Sequence, residues 1–121
     1  MTRTGSQLKR LAATIERLAE GPGDQRAYLS HLGTPGLADE LALEFDDALR
    51  PVRHQLDVLG VPASVVAKID ALDDALSAMS GAEREWLWRP RALDGPEWRN
   101  VRQMAAEISR EFAGPDGQAS A

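Results

Sequence analysis

The chain has no cysteine among its 121 residues, so neither disulfides nor thiolate metal sites are open to it. That composition fits a reducing compartment, and a cytoplasmic location is the expectation. It has only two histidines, His31 and His54, and neither stands at ligand spacing from the other. No apolar run approaches the roughly 20 residues that a bilayer crossing needs. Arg3, Lys9 and Arg10 are followed by no continuous apolar stretch, because Glu16 and Glu20 interrupt it. A secretory signal is therefore not expected. Lysine is scarce, at two against twelve arginines. With the abundant alanine, that usage fits a high-GC bacterial gene. Phosphate loops, nucleophile elbows and Ser-His pairs are all missing. So are the Glu-x-x-His pairs of a carboxylate di-iron bundle.

The charge that is present is unevenly placed. The whole chain carries −5, yet Asp39 to Asp74 holds nine acids against Arg50, Arg53 and Lys68, a local net of −6. The remainder has ten acids and eleven bases, a net of +1. Nucleic-acid binding depends on clustered cations, so this balance argues against a DNA or RNA partner. An acidic middle suits a protein partner with a basic surface.

Hydrophobic periodicity is helical throughout. Leu8, Leu11, Ile15 and Leu18 share one face of a first helix over 6–20, stopped by Gly21-Pro22-Gly23. A short helix over 24–32 would bury Tyr28, Leu29 and Leu32, and Thr34-Pro35-Gly36 would turn the chain. A third helix from about Leu37 sets Leu41, Phe45, Ala48 and Leu49 on its inner face. Pro51 predicts a kink or break, with Val52, Leu56 and Leu59 on a fresh helix after it. Val65, Ile69, Leu72, Leu76 and Met79 form a strict heptad seam between Pro62 and Gly81. The stretch 82–95 reads as irregular, with one short turn near 83–88 and a loop after it. Trp98, Val101, Ala105, Ile108 and Phe112 mark a last helix, opened by Pro96 and stopped by Gly114-Pro115. These elements predict an all-α antiparallel bundle of four to five helices, a single domain over 1–113, and a disordered tail over 114–121.

Two constellations could carry function. Glu40, Glu44 and Asp47 make one acidic stripe, and Asp70, Asp73 and Asp74 make another. Facing stripes offer oxygen ligands to a hard cation, which makes Glu44, Asp47, Asp70 and Asp73 the candidate metal set. Solvated helix faces account for the same residues. Asp39-Glu40-Leu41-Ala42-Leu43-Glu44 and Asp70-Ala71-Leu72-Asp73 loosely resemble the paired acidic motifs of all-helical nucleotide pyrophosphohydrolases. The first motif carries an extra residue, and the second has Asp where the family has Glu. The other constellation is Trp86, Trp88 and Trp98, half of the six aromatic residues within thirteen positions. Arg84, Arg89, Arg91, Arg99 and Arg102 are interleaved with them. Trp and Arg are enriched at binding hot spots, and core packing under arginine stems is the competing account.

Leu41-Ala42-Leu43-Glu44-Phe45-Asp46-Asp47, Leu72-Asp73-Asp74-Ala75-Leu76 through Met79-Ser80-Gly81, Leu87-Trp88 with Ala92-Leu93, and Glu97-Trp98-Arg99-Asn100-Val101-Arg102 together resemble a group of small acidic helical bacterial proteins. The resemblance spans 37–110. Most of the group has no assigned function, and some members are immunity-like or accessory-like. It implies a fold and a size class and carries over no catalytic residue. The expectation is a non-enzymatic protein-binding module without a cofactor, with Glu44, Asp46, Asp47, Trp86, Trp88, Arg89 and Arg91 as candidate contacts. The alternatives are a metal-dependent nucleotide hydrolase and a self-associating protein that dimerises through the Val65–Met79 seam.

Overall fold

A computed structural model describes residues 3–33 and 38–120, with side chains for 5–33, 38–81, 83–89 and 91–112. Five α-helices form it: α1 (Arg3–Ala19), α2 (Pro22–His31), α3 (Asp39–Leu49), α4 (Ala63–Ala78) and α5 (Pro96–Ser120). Three short 3-10 segments, Arg53–Gln55, Ala82–Trp88 and Pro90–Asp94, fill the connections. No strand occurs among the described residues, and none of their helices is long and apolar enough to cross a membrane. The predicted turn at Thr34-Pro35-Gly36 lies outside the described residues.

The centre of the bundle is the pair α1 and α5. α3 packs on α1, and α4 packs on α5. Each contributes the face that its periodicity marks: Leu11, Ile15 and Leu18; Leu41, Phe45 and Ala48; Val65, Ile69, Leu72, Leu76 and Met79; Trp98, Val101, Ala105 and Ile108 are all buried. The heptad seam of α4 is thus consumed inside the monomer. It is not available to a second copy, which corrects its reading as a dimer interface.

Pro51 breaks the chain outright. The Arg50 N–H closes the last helical bond to the Asp46 carbonyl, at 3.0 Å, and Pro51 has no N–H with which to continue the ladder. No fresh α-helix comes after it, only the turn at Arg53–Gln55, although Val52 and Leu56 are still fully buried. Gly60, at φ +92°, then reverses the chain in a conformation that a side chain would strain.

Three further features depart from the sequence reading. In α2 the buried pair is Gln25 and Leu29, one turn apart, while Leu32 is 38% exposed. The Gln25 amide donates to the carbonyls of Leu18 (3.1 Å) and Arg17 (3.2 Å), so it supplies a donor at the end of α1, where Arg17 also accepts the Glu20 N–H at 3.2 Å. Between Pro90 and Asp94 the chain is 3-10 helical rather than loop. Finally, α5 runs through Gly114-Pro115 to Ser120. Gly114 has no Cβ, which removes part of the clash that a proline makes with the residue before it, although Pro115 still cannot donate to the Glu111 carbonyl.

Candidate functional site

α3 packs on α1 and α4 on α5, and α3 and α4 lack that close packing with each other. A cleft of about 320 Å³ remains between them, lined by Asp39, Ala42, Leu43, Phe45, Asp46, Asp73, Leu76, Ser77, Ser80 and Trp88. The α3 wall arises from helical spacing. Asp39, Ala42, Leu43 and Asp46 recur at three, four and seven residues, so they share one face. Asp73 and Ser77 are one turn apart on α4, and Ser80 lies just beyond its end.

Trp88, from the irregular segment, joins the lining. Its carbonyl accepts the Ala38 N–H at 2.6 Å, which ties the irregular segment to the start of α3. Its ring stands edge-on to Trp98, with centroids 5.8 Å apart and planes at 82°. Trp98 is fully buried and donates its indole N–H to the Leu87 carbonyl at 2.7 Å. Arg102 does the same for the Leu93 carbonyl at 2.7 Å. Side chains of α5 therefore hold the whole 82–95 segment by its backbone.

The floor is apolar, formed by buried Phe45 and Leu76 with half-buried Trp88, and the walls are anionic. Partial burial pushes the Asp73 carboxyl above the ordinary aspartate range, the charges of Asp46, Asp74 and Asp70 push it further, and Arg50 opposes them. That arginine holds Asp46 at 2.9 Å but is 77% exposed and lies outside the lining. Oδ1 of Asp39 is buried and has no hydrogen-bond partner among the described residues. Leu43, on the same wall, is 49% exposed.

The four carboxylates of the predicted metal set do not converge. Glu44 accepts the Tyr28 hydroxyl at 2.5 Å and lines a different cleft with Arg10, Arg17 and Tyr28. The Glu44 contact is the main reason that the Tyr28 phenol is pushed up. Asp47 is exposed and lines neither cleft. Asp70 is gripped by Arg53 through two contacts of 2.6 and 2.5 Å. Only Asp73 reaches the α3–α4 cleft. The reason is angular: Glu44 and Asp46, two residues apart, point to opposite sides of α3. Among the described residues no group of three His, Asp or Glu side chains is placed to hold a metal ion.

Of the predicted contacts, Asp46 and Trp88 line the cleft, whereas Trp86 (53% exposed), Arg89 and Arg91 face solvent outside it. Asp39, Leu43, Ser77 and Ser80 were not predicted. The available signal was Leu43, an apolar residue off the buried face of α3 and bracketed by two acids seven apart. Comparison with family models, with curated protein sequences and with solved structures finds no match.

Proposed function

We propose that the chain is a non-enzymatic binding module that holds a basic segment of a partner protein on the acidic side of α3 and α4. It would act in the cytoplasm, in the manner of immunity-type inhibitors and accessory regulators, which its helical sequence pattern resembles. The observation that carries this reading is the pairing of Asp46 and Asp73 across an apolar floor, with no cationic side chain among the described residues of the lining. Two carboxylates so placed repel each other, and a cation from outside relieves both. The dispersal of Glu44, Asp47, Asp70 and Asp73 weighs against the hydrolase alternative, which needs them on one centre.

The test compares the intact chain with an Asp46→Asn/Asp47→Asn/Asp73→Asn variant in quantitative affinity capture. A partner with a basic surface should be retained by the first and lost by about tenfold or more in the second, as expected for removal of charge-assisted contacts. Equal retention by both proteins, with helix content unchanged, would overturn the reading.

A further inference from the structure

We infer that the α3–α4 cleft receives one arginine of a short amphipathic helix on the partner, its guanidinium seated between Asp46 and Asp73 and an apolar neighbour laid against Leu43. This deepens the binding-module reading and rests on it. The cleft is about 320 Å³, at the low end of the roughly 300–1,000 Å³ typical of ligand pockets. That suits one long side chain and part of a second, not a large cofactor. Its α3 wall, Asp39 to Asp46, spans seven residues, or about 10 Å at the rise of an α-helix. A wall of that length matches two turns of a helix lying along it.

Arginine fits the chemistry better than lysine. A guanidinium is planar and presents donors on several edges, so it can serve carboxylates on opposite walls at once. The hydroxyls of Ser77 and Ser80 offer further acceptors on the α4 side. The methylene stem of an arginine lies well on apolar surface, which Phe45 and Leu76 supply, and its head stacks on an indole such as Trp88. Arg50 offsets part of the cleft's negative charge, pairing with Asp46 at 2.9 Å and acting on Asp73, but it is 77% exposed and lies outside the lining, so the cleft itself holds no cation among the described residues. Leu43 is the exposed apolar contact one turn from either acid of its own wall. A partner helix with arginine and an aliphatic residue three or four positions apart meets both features.

The probe is a display library of short random peptides, selected against the full chain, with affinities then measured by fluorescence anisotropy. Enriched peptides should share an arginine with an apolar residue at helical spacing. They should bind Asp46→Asn/Asp73→Asn at least about tenfold more weakly and bind Asp24→Asn, which alters an exposed acid on α2 outside the cleft lining, unchanged. Leu43→Lys, at an exposed position that tolerates it, should abolish binding in a protein of unaltered helix content. Agmatine, a guanidinium on a free stem, should compete only weakly. Four outcomes overturn the inference: no enrichment, enriched peptides without arginine, full affinity for Asp46→Asn/Asp73→Asn, or agmatine binding as tightly as the peptides. If affinity falls with Asp47→Asn and not with the cleft pair, the binding module stands and this cleft is the wrong seat. If no acidic variant matters, both fail.

Discussion

Replacing Trp98 by Phe isolates the bond on which the floor of the cleft depends. Trp98 is fully buried, and its indole N–H reaches the carbonyl of buried Leu87 at 2.7 Å. Phenylalanine keeps an aromatic ring beside Trp88 but removes the donor. Stripping a buried carbonyl of its partner costs about 1–3 kcal/mol. The smaller ring also leaves a void of about 40 Å³, worth about 1 kcal/mol at roughly 24 cal/mol per Å³. The sum is about 2–4 kcal/mol, a large part of the stability of an ordinary domain. At about 4 °C per kcal/mol for a chain of this size, the melting temperature should fall by about 8–16 °C. Urea denaturation followed by circular dichroism measures the difference directly. A loss below about 1 kcal/mol with an unchanged slope would mean that Leu87 finds another donor and that Trp98 does not fasten the segment.

Asp73→Asn should raise stability at neutral pH, since the folded state disfavours the charged carboxyl. The sign comes from linkage: a raised aspartate costs stability above its folded-state midpoint, and the cost fades as pH falls below the ordinary aspartate value. The gap between variant and parent should therefore close on acidification; a constant gap would refute the assignment. Gln25→Ala should cost about 1–3 kcal/mol in the same denaturation assay, because the Leu18 carbonyl loses its side-chain donor while the Arg17 carbonyl keeps the Glu20 N–H. Arg53→Ala should cost no more than about 1 kcal/mol, and less in high salt, because its pair with Asp70 is more than a third exposed on both sides. A double-mutant cycle with Asp70→Asn, run at two salt concentrations, checks this.

Helix positions were readable because burial enforces a period of 3.6, and every core residue of α3, α4 and α5 named above lies on that period. The exception in α2 has a physical cause. Gln25 is buried for the carbonyls it caps rather than for its hydropathy, so an apolar template passes over it and selects Leu32 instead. Pro51 was readable as a kink or break, but the fresh helix expected after it does not form, since the conformation of the next residues depends on how Val52 and Leu56 dock. The acidic site was legible in part. Asp46 and Trp88 were singled out, but grouping acids into stripes by spacing alone joined Glu44 to Asp47 and missed Asp39. Which acidic stripe faces another helix depends on which helices pack, and here α3 and α4 meet only across a gap. Arg53 on Asp70 and Tyr28 on Glu44 join positions 17 and 16 residues apart, too distant for local patterning to reveal.

The irregular stretch from Ala82 to Asp94 is held by what its backbone offers. Trp98 takes the carbonyl of Leu87, Ala38 that of Trp88 and Arg102 that of Leu93, while Leu87, Ala92 and Leu93 are its buried positions among the described residues. Glu83, Arg84, Glu85, Trp86, Arg89 and Arg91 project from an anchored main chain without fastening it. Those positions can therefore drift in sequence with little penalty to the fold. Substitution there would leave the main-chain frame in place, whereas loss of the Trp98 or Arg102 donor would release it.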